Sequence, residues 1–560
     1  MRVAGGGSGA VTGGSIPDGS GEERPPEPAA PRRRGLPSPY LVLSTLAVLF
    51  SVAVAVRQPW GADFGLHAAV VGRLRDDLWQ PANPMVEVIS PSPYFTPYTL
   101  LLAVIAKVTG LGPATVLSAA GPANLALLLF GLRRFVGLFT TNRWAPVLAL
   151  LFVPLLWGPA VPQWSGFPAL RGLVLILPYP STLAFGLMLL CWVAVAGALR
   201  TASWRRWLVA GLLGGLVILI HPFTAVGTVL GVVAFVVGRL TRLRRPDLVG
   251  MLVGAAAALV PVFGWPYFRV TDTLASASEL DAIHEALYLD AAGRYGLAFL
   301  VGVPALVLRL RRDRLDPLVL LFGLSGAVVL AGWLTGAYAF GRVWPVVVLS
   351  LQAAAAVVLA TVVAGAFGRR PAEGPAPADP AGVAGPDAAG PPPRRPGSGI
   401  RLLVGLWAAV AAVACLAGFA TQYGNLLLVL PADQLTAPRR AAHDVTNLPN
   451  FGWVDRAVAP GSVVLTGNAP AGRALLAFEI RSVAPPWPDP LLADEDRRLA
   501  EQAELVDAAT PDPRRRALLT AYGVDWILDL DGSYGWADGY ASTVVEGPGK
   551  SRLLKVAQPR

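Results

Sequence analysis

The feature that most constrains this chain is a succession of apolar runs, many near the ~20 residues an α-helix needs to cross a bilayer. After Tyr40–Val56 they recur at Ala114–Phe130, Trp144–Pro159, Thr182–Leu199, Trp207–Ile220 and Phe223–Gly238. The series continues at Leu248–Pro266, Tyr295–Leu310, Leu315–Thr335, Val343–Phe367 and Ile400–Ala420. By length this predicts about eleven spans. Inside hydrocarbon a backbone must satisfy its own hydrogen bonds, which restricts such runs to helices. Only 15% of residues are charged, mean hydropathy is +0.54, and a soluble domain carries about 25% charge. The expected fold class is therefore mostly α, a polytopic transmembrane helix bundle.

Arginine placement sets the topology. Arg32, Arg33 and Arg34 precede the first run, and clusters follow at Arg133–Arg134 with Arg143, at Arg200 with Arg205–Arg206, from Arg239 to Arg245, from Arg309 to Arg314, and from Arg369 to Arg401. If all face the cytoplasm, each lies two crossings from the next, provided that Tyr98–Gly110 does not cross. Residues 98–112 are accordingly expected to lie along the outer membrane face or to re-enter it. The formal charge of +10 is accounted for by these clusters, so no nucleic-acid partner is expected.

Between and around the spans the composition changes. Residues 1–38, rich in Gly, Pro and Ser, are expected to be a disordered cytoplasmic N-terminus, and 368–399, rich in Ala, Pro and Gly, a disordered cytoplasmic linker. The transmembrane domain covers 39–420. Residues 421–560 are more polar and are expected to form a small extracytoplasmic α/β domain. Its strands are predicted at SVVLTG, ALLAFEI and DWILDL, and its helices at Ala493–Ala508 and Arg514–Tyr522.

The chemistry-bearing residues fall in the predicted outer loops. The first of these, 57–97, opens GADFGLHAAVV and carries Asp63 and His67, four apart and so on one face if helical. A carboxylate beside the membrane suits a general base; a helix N-terminus also favours an aspartate there. Asp76, Asp77 and Glu87 read as a solvated polar face. His221 in ILIHPFT sits between two spans, where the following proline enforces a break; an imidazole there can hold a lipid phosphate. Arg342 in TGAYAFGRVWP and Arg171 in FPALRGL are outer arginines that match phosphate geometry or act as snorkelling anchors. Asp281 and His284, on the loop 267–294, are weaker acceptor-binding candidates. Cys191 and Cys415 lie inside apolar runs and receive no role. GxxxxGK[ST], strand-borne GxGxxG, HExxH and paired CxxC are all absent, which argues against a nucleotide-driven pump, a zincin or a redox enzyme.

One span followed by GADFGLHAAVV and then PSPYFTPYTLLLAVIAKVTGL, with many further spans and the tail PGSVVLTG…RRRALLTAYGVDWILDL, resembles the GT-C superfamily of membrane glycosyltransferases. The resemblance implies a polyprenyl-phosphate sugar as donor, a glycan or lipid acceptor in the cell envelope, and Asp63 at the catalytic acid position with His67 in support. His221, Arg342 and Arg171 would then serve the donor phosphate. A divalent cation is used by some such enzymes, and Asp63 has no adjacent acid to share one. The abundance of Ala, Gly, Arg and Pro resembles high-GC actinobacterial chains, in which arabinosyl and mannosyl donors of this type are common. A transporter or flippase of lipid-linked precursors and a non-catalytic envelope assembly protein are the alternatives; no internal repeat favours the transporter.

Overall fold

The computed structural model describes residues 9, 38–61, 63–275, 281–367, 398–430 and 448–557. Apart from Gly9, Ser38 and the helix start at Ser398 and Gly399, the expectations for 1–38 and 368–399 lie outside these residues. Among the described residues, eight helices are long and apolar enough to cross a membrane. These are α1 (Pro39–Arg57), Pro113–Val136, Pro180–Thr201, Arg245–Phe263, Ala291–Arg312, Pro317–Thr335, Tyr338–Ala366 and Ser398–Val429. Three other runs predicted to span form shorter helices: Trp144–Leu155 with 12 residues, Trp204–Ile220 with 17 and Pro222–Val237 with 16. Pro154 sits in the last turn of the first, and Pro222 forces the chain to restart after His221.

Small residues let these helices approach closely. A β-carbon on Gly211 would lie 2.0 Å from the Gly254 carbonyl oxygen, and one on Gly215 would lie 2.7 Å from that of Ala258. The backbones of Trp204–Ile220 and Arg245–Phe263 therefore touch. Helix Trp344–Phe367 runs through the centre, with Val346 to Ala360 buried almost without interruption.

Two short helices shape the first loop. α2 (Phe64–Asp76) follows α1 directly. α3 (Pro97–Thr109) opens with a reciprocal cap between Thr96 and Thr99 and buries Tyr98, Leu102 and Ala106 while exposing Leu101 and Val108. Its 13 residues extend about 20 Å, short of a ~30 Å hydrocarbon core.

The C-terminal segment forms a five-stranded sheet in the order β2-β1-β3-β5-β4. Here β1 is Val463–Leu465, β2 Arg481–Ser482, β3 Val524–Asp529, β4 Ala541–Glu546 and β5 Arg552–Val556. β1 is parallel to β2 and β3, and the remaining pairs are antiparallel. Helices Glu495–Val506 and Asp512–Ala521 lie where helices were predicted. ALLAFEI is not a strand. Asn468 caps a helix over Ala469–Leu475 by accepting from the Ala471 N–H, Pro470 stands in its first turn, and a 3-10 turn continues to Phe478. Local capping thus overrides the β-like apolar pattern.

This domain is seated on the first loop. Buried Asp489 accepts from Asn83 Nδ2 at 2.9 Å and Ser92 Oγ at 2.8 Å. The Ser482 N–H donates to the Met85 carbonyl, and Arg75 pairs with Glu479 at 3.1 Å. The closest approach is at Gly65 in α2, where a β-carbon would fall 1.9 Å from the Arg473 carbonyl oxygen.

Candidate active site

Asp63 is the N-cap residue of α2, yet its carboxylate caps nothing. Instead Oδ1 accepts from Arg473 Nη1 of the C-terminal domain at 2.9 Å, with both side chains largely shielded. Arg473 also lies over the Trp487 ring, 4.7 Å from its centroid. Its Nε is buried with no hydrogen-bond partner.

His67, one turn along α2, puts its ring edge against Tyr179 at 4.9 Å. The Tyr179 hydroxyl donates to the Gly61 carbonyl just ahead of Asp63. The His67 Nδ1 is shielded and unpartnered. Burial lowers its pKa to about 4, against the opposing pull of Asp63. The ring is therefore neutral at physiological pH and is suited to support, not to carry charge.

His221 occupies the break between helices Trp204–Ile220 and Pro222–Val237. Its Nδ1 accepts the Thr224 N–H at 3.2 Å and lies 2.8 Å from Thr224 Oγ1. A neutral ring that accepts at Nδ1 carries its proton on Nε2. That Nε2 faces Arg342 Nη2 at 3.5 Å. In this tautomer imidazole and guanidinium N–H groups converge on one spot, where an anionic oxygen can accept from both.

Arg342 is buried in the 3-10 turn Tyr338–Val343 and lies against Phe223 (4.6 Å) and Trp164 (5.7 Å). His284 packs against the same two rings at 5.3 and 5.7 Å. Asp281 Oδ1 accepts the Ala339 N–H at 2.7 Å, tying down the turn that carries Arg342. Gly166 closes the opposite wall in a left-handed conformation, φ +81°, and a β-carbon there would come within 3.5 Å of His221 Cε1. Ser165, next to it, bonds Ser181 at 2.8 Å. The Asp63 charge acts on Arg342, and the Arg342 charge acts on His221.

The other candidates are placed elsewhere. Arg171 is exposed, is held through its backbone by Gln422 and Asn425, and does not line the His221–Arg342 cavity. Asp77 accepts two loop N–H groups, Asp76 pairs with Arg75, and Glu87 bridges Arg73 and Arg481. Sequence reasoning did not find Arg473, Tyr179 or Gly166. A glycine in the outer segment QWSGFP was a usable signal for the last; nothing local marks Arg473.

Among the described residues no three His, Cys, Asp or Glu side chains converge as metal ligands. The charged neighbour of Asp63 is a guanidinium. The residues around this carboxylate do not fit a divalent cation.

No protein-family model and no curated protein matches the chain. Among solved structures it is similar to ArnT from Cupriavidus metallidurans bound to undecaprenyl phosphate, with TM-score 0.51 and 14% identity over 94% of this chain and 100% of that one. The fold is shared with ArnT. The apo form of the same protein matches at TM-score 0.50 and 14% identity, over 93% and 99% of the two chains. An oligosaccharyltransferase from Archaeoglobus fulgidus gives TM-score 0.49 and 12% identity over 93% and 74%. The architecture expected from the sequence is thus present: a mostly helical membrane part with a small C-terminal sheet.

Proposed function

We propose that the protein is an integral membrane glycosyltransferase that moves a sugar, arabinosyl or mannosyl in type, from a polyprenyl-phosphate donor to a cell-envelope glycan or lipid on the outer face. The observation that carries this reading is the facing pair of donors, His221 Nε2 and Arg342 Nη2, within the field of Asp63. The ArnT structure was solved with undecaprenyl phosphate, which supports a lipid phosphate as the anion that the pair receives.

In this reading the acceptor hydroxyl attacks the anomeric carbon. The new C–O bond forms as the bond to phosphate oxygen breaks, and the hydroxyl proton passes to the Asp63 carboxylate. The phosphate departs with the bonding electrons, and His221 and Arg342 stabilise its growing charge. Arg473 orients the base through its 2.9 Å bond, and His67 with Tyr179 fixes the first turn of α2. Arg171 is proposed to meet the donor at the membrane edge. Asp281 and His284 act on the site by holding Arg342 in place.

The test is transfer of labelled sugar from a panel of polyprenyl-phosphate donors by the purified protein, beside Asp63→Asn, with native envelope glycan as acceptor. Transfer by the parent and its loss in a folded Asp63→Asn protein is the expected result. Full activity in that variant refutes Asp63 as the base.

A further inference from the structure

A second cavity of about 360 Å³ lies in the C-terminal domain, away from Asp63 and the His221–Arg342 pair. Arg497, Arg498 and Glu501 of helix Glu495–Val506 line it together with Arg514 and Tyr522. Glu87 of the first loop closes one side. We propose that this cavity is a binding subsite for a neutral oligosaccharide. As the acceptor's remote segment, its role rests on the glycosyltransferase reading above.

The arginines that line the cavity are paired, in part with carboxylates outside its lining. Arg497 pairs with Asp494 at 2.6 Å and Glu501 at 3.1 Å, and Arg498 with Asp494 at 3.0 Å. Arg514 pairs with Glu504 at 2.9 Å and reaches Glu501 at 3.8 Å. With each guanidinium already facing a carboxylate, the lining offers neither an anion nor a cation an unpaired counter-charge. A hydroxyl group, however, both donates and accepts. Interleaved guanidinium donors and carboxylate acceptors suit vicinal hydroxyls. The Tyr522 hydroxyl, bonded to Glu501, adds an amphipathic ring at the rim. The volume falls at the lower end of the roughly 300–1,000 Å³ of small-molecule sites, room for about two sugar rings.

Its position suits a remote part of a chain-like acceptor. Glu87 accepts from Arg73 of α2 at 2.7 Å and from Arg481 at 2.8 Å. Arg73 lies ten residues beyond Asp63, about 15 Å along the helix at ~1.5 Å per residue. A glycan whose reacting hydroxyl is at Asp63 would need several further sugars to reach the cavity. Short acceptors would not engage it.

The test uses the full-length detergent-solubilised protein with arabino- and manno-hexasaccharides, the corresponding monosaccharides, and an acidic hexagalacturonate. Arg514→Ala and Tyr522→Phe, both at the rim, serve as variants, with Arg497→Gln as a third. Binding of a neutral hexasaccharide that weakens about tenfold in the variants is expected, with monosaccharides much weaker. In the transfer assay, acceptor KM should rise about tenfold for hexasaccharides alone, leaving kcat and donor KM unchanged. Equal binding by parent and variants, or tighter binding of the acidic probe, overturns the proposal. Transfer with an unchanged acceptor KM in all three variants overturns the acceptor role while leaving the enzyme intact. Variant-sensitive neutral binding without transfer from any donor supports the cavity and counts against the glycosyltransferase reading.

Discussion

Asp489 offers a quantitative test of how the C-terminal domain is latched to the membrane part. It is fully buried between Asn83 and Ser92, and burial raises its pKa from 3.8 to about 6 despite those two hydrogen bonds. A carboxyl with a raised folded-state pKa gives stability that is fully present below the unfolded value and is lost as pH rises through the folded one. The window here is about pH 4 to 6, and the difference corresponds to about 3 kcal/mol, lost by pH 7.5. Asp489→Asn keeps an acceptor for Asn83 and Ser92 but turns an amide toward the Leu491 N–H, now 3.4 Å from Oδ1, at a cost of about 1 kcal/mol. The variant should therefore be about 2 kcal/mol more stable than the parent at pH 7.5 and about 1 kcal/mol less stable at pH 4. Melting temperatures of both proteins in detergent, from pH 4 to 8, should cross, with a total swing of roughly 5–10 °C. Other titrating groups cancel in the comparison to the extent that they are independent. Parallel melting profiles would refute the reasoning.

Further outcomes follow from the site. His67, depressed to about 4, contributes stability present above pH 6.5 that is lost as pH falls through 4, about 3 kcal/mol in all; His67→Gln should flatten that acid limb in the same melting experiment. Arg473→Met should cost about 1–3 kcal/mol by leaving Asp63 unpaired in a largely shielded position, and a double-mutant cycle with Asp63→Asn should show coupling of at least about 1 kcal/mol. Gly65→Ala places a methyl 1.9 Å from the Arg473 carbonyl oxygen, so hydrogen exchange over 469–478 should accelerate sharply. Arg342→Lys keeps the charge but loses the planar fork, and donor KM should rise about tenfold while the fold holds.

The sequence carried the architecture because apolar run length and polar composition are local quantities. The bundle and the change of character after Ala420 could both be read from them. The runs predict about eleven spans; eight helices among the described residues are long and apolar enough to cross, and three of the runs form helices of 12, 17 and 16 residues beside Pro154 and Pro222. ALLAFEI misled because a strand-like apolar run obeyed the Asn468 cap. Among site residues, Asp63, His67, His221 and Arg342 stood out because each is a rare ionisable group at a predicted membrane edge. Asp281 and His284 were weaker candidates on an outer loop, and the structure has them packed around the turn and rings that hold Arg342.

What the sequence by itself determined was the class of solvent each segment must face, since hydrocarbon admits only self-satisfied backbone and penalises isolated charge. What the tertiary structure alone decided was which charges meet. Arg473 lies 410 residues from Asp63 along the chain and reaches it only because Gly65 lets two backbones touch. Pairing of this kind depends on distances between elements, and no local pattern of residues encodes those.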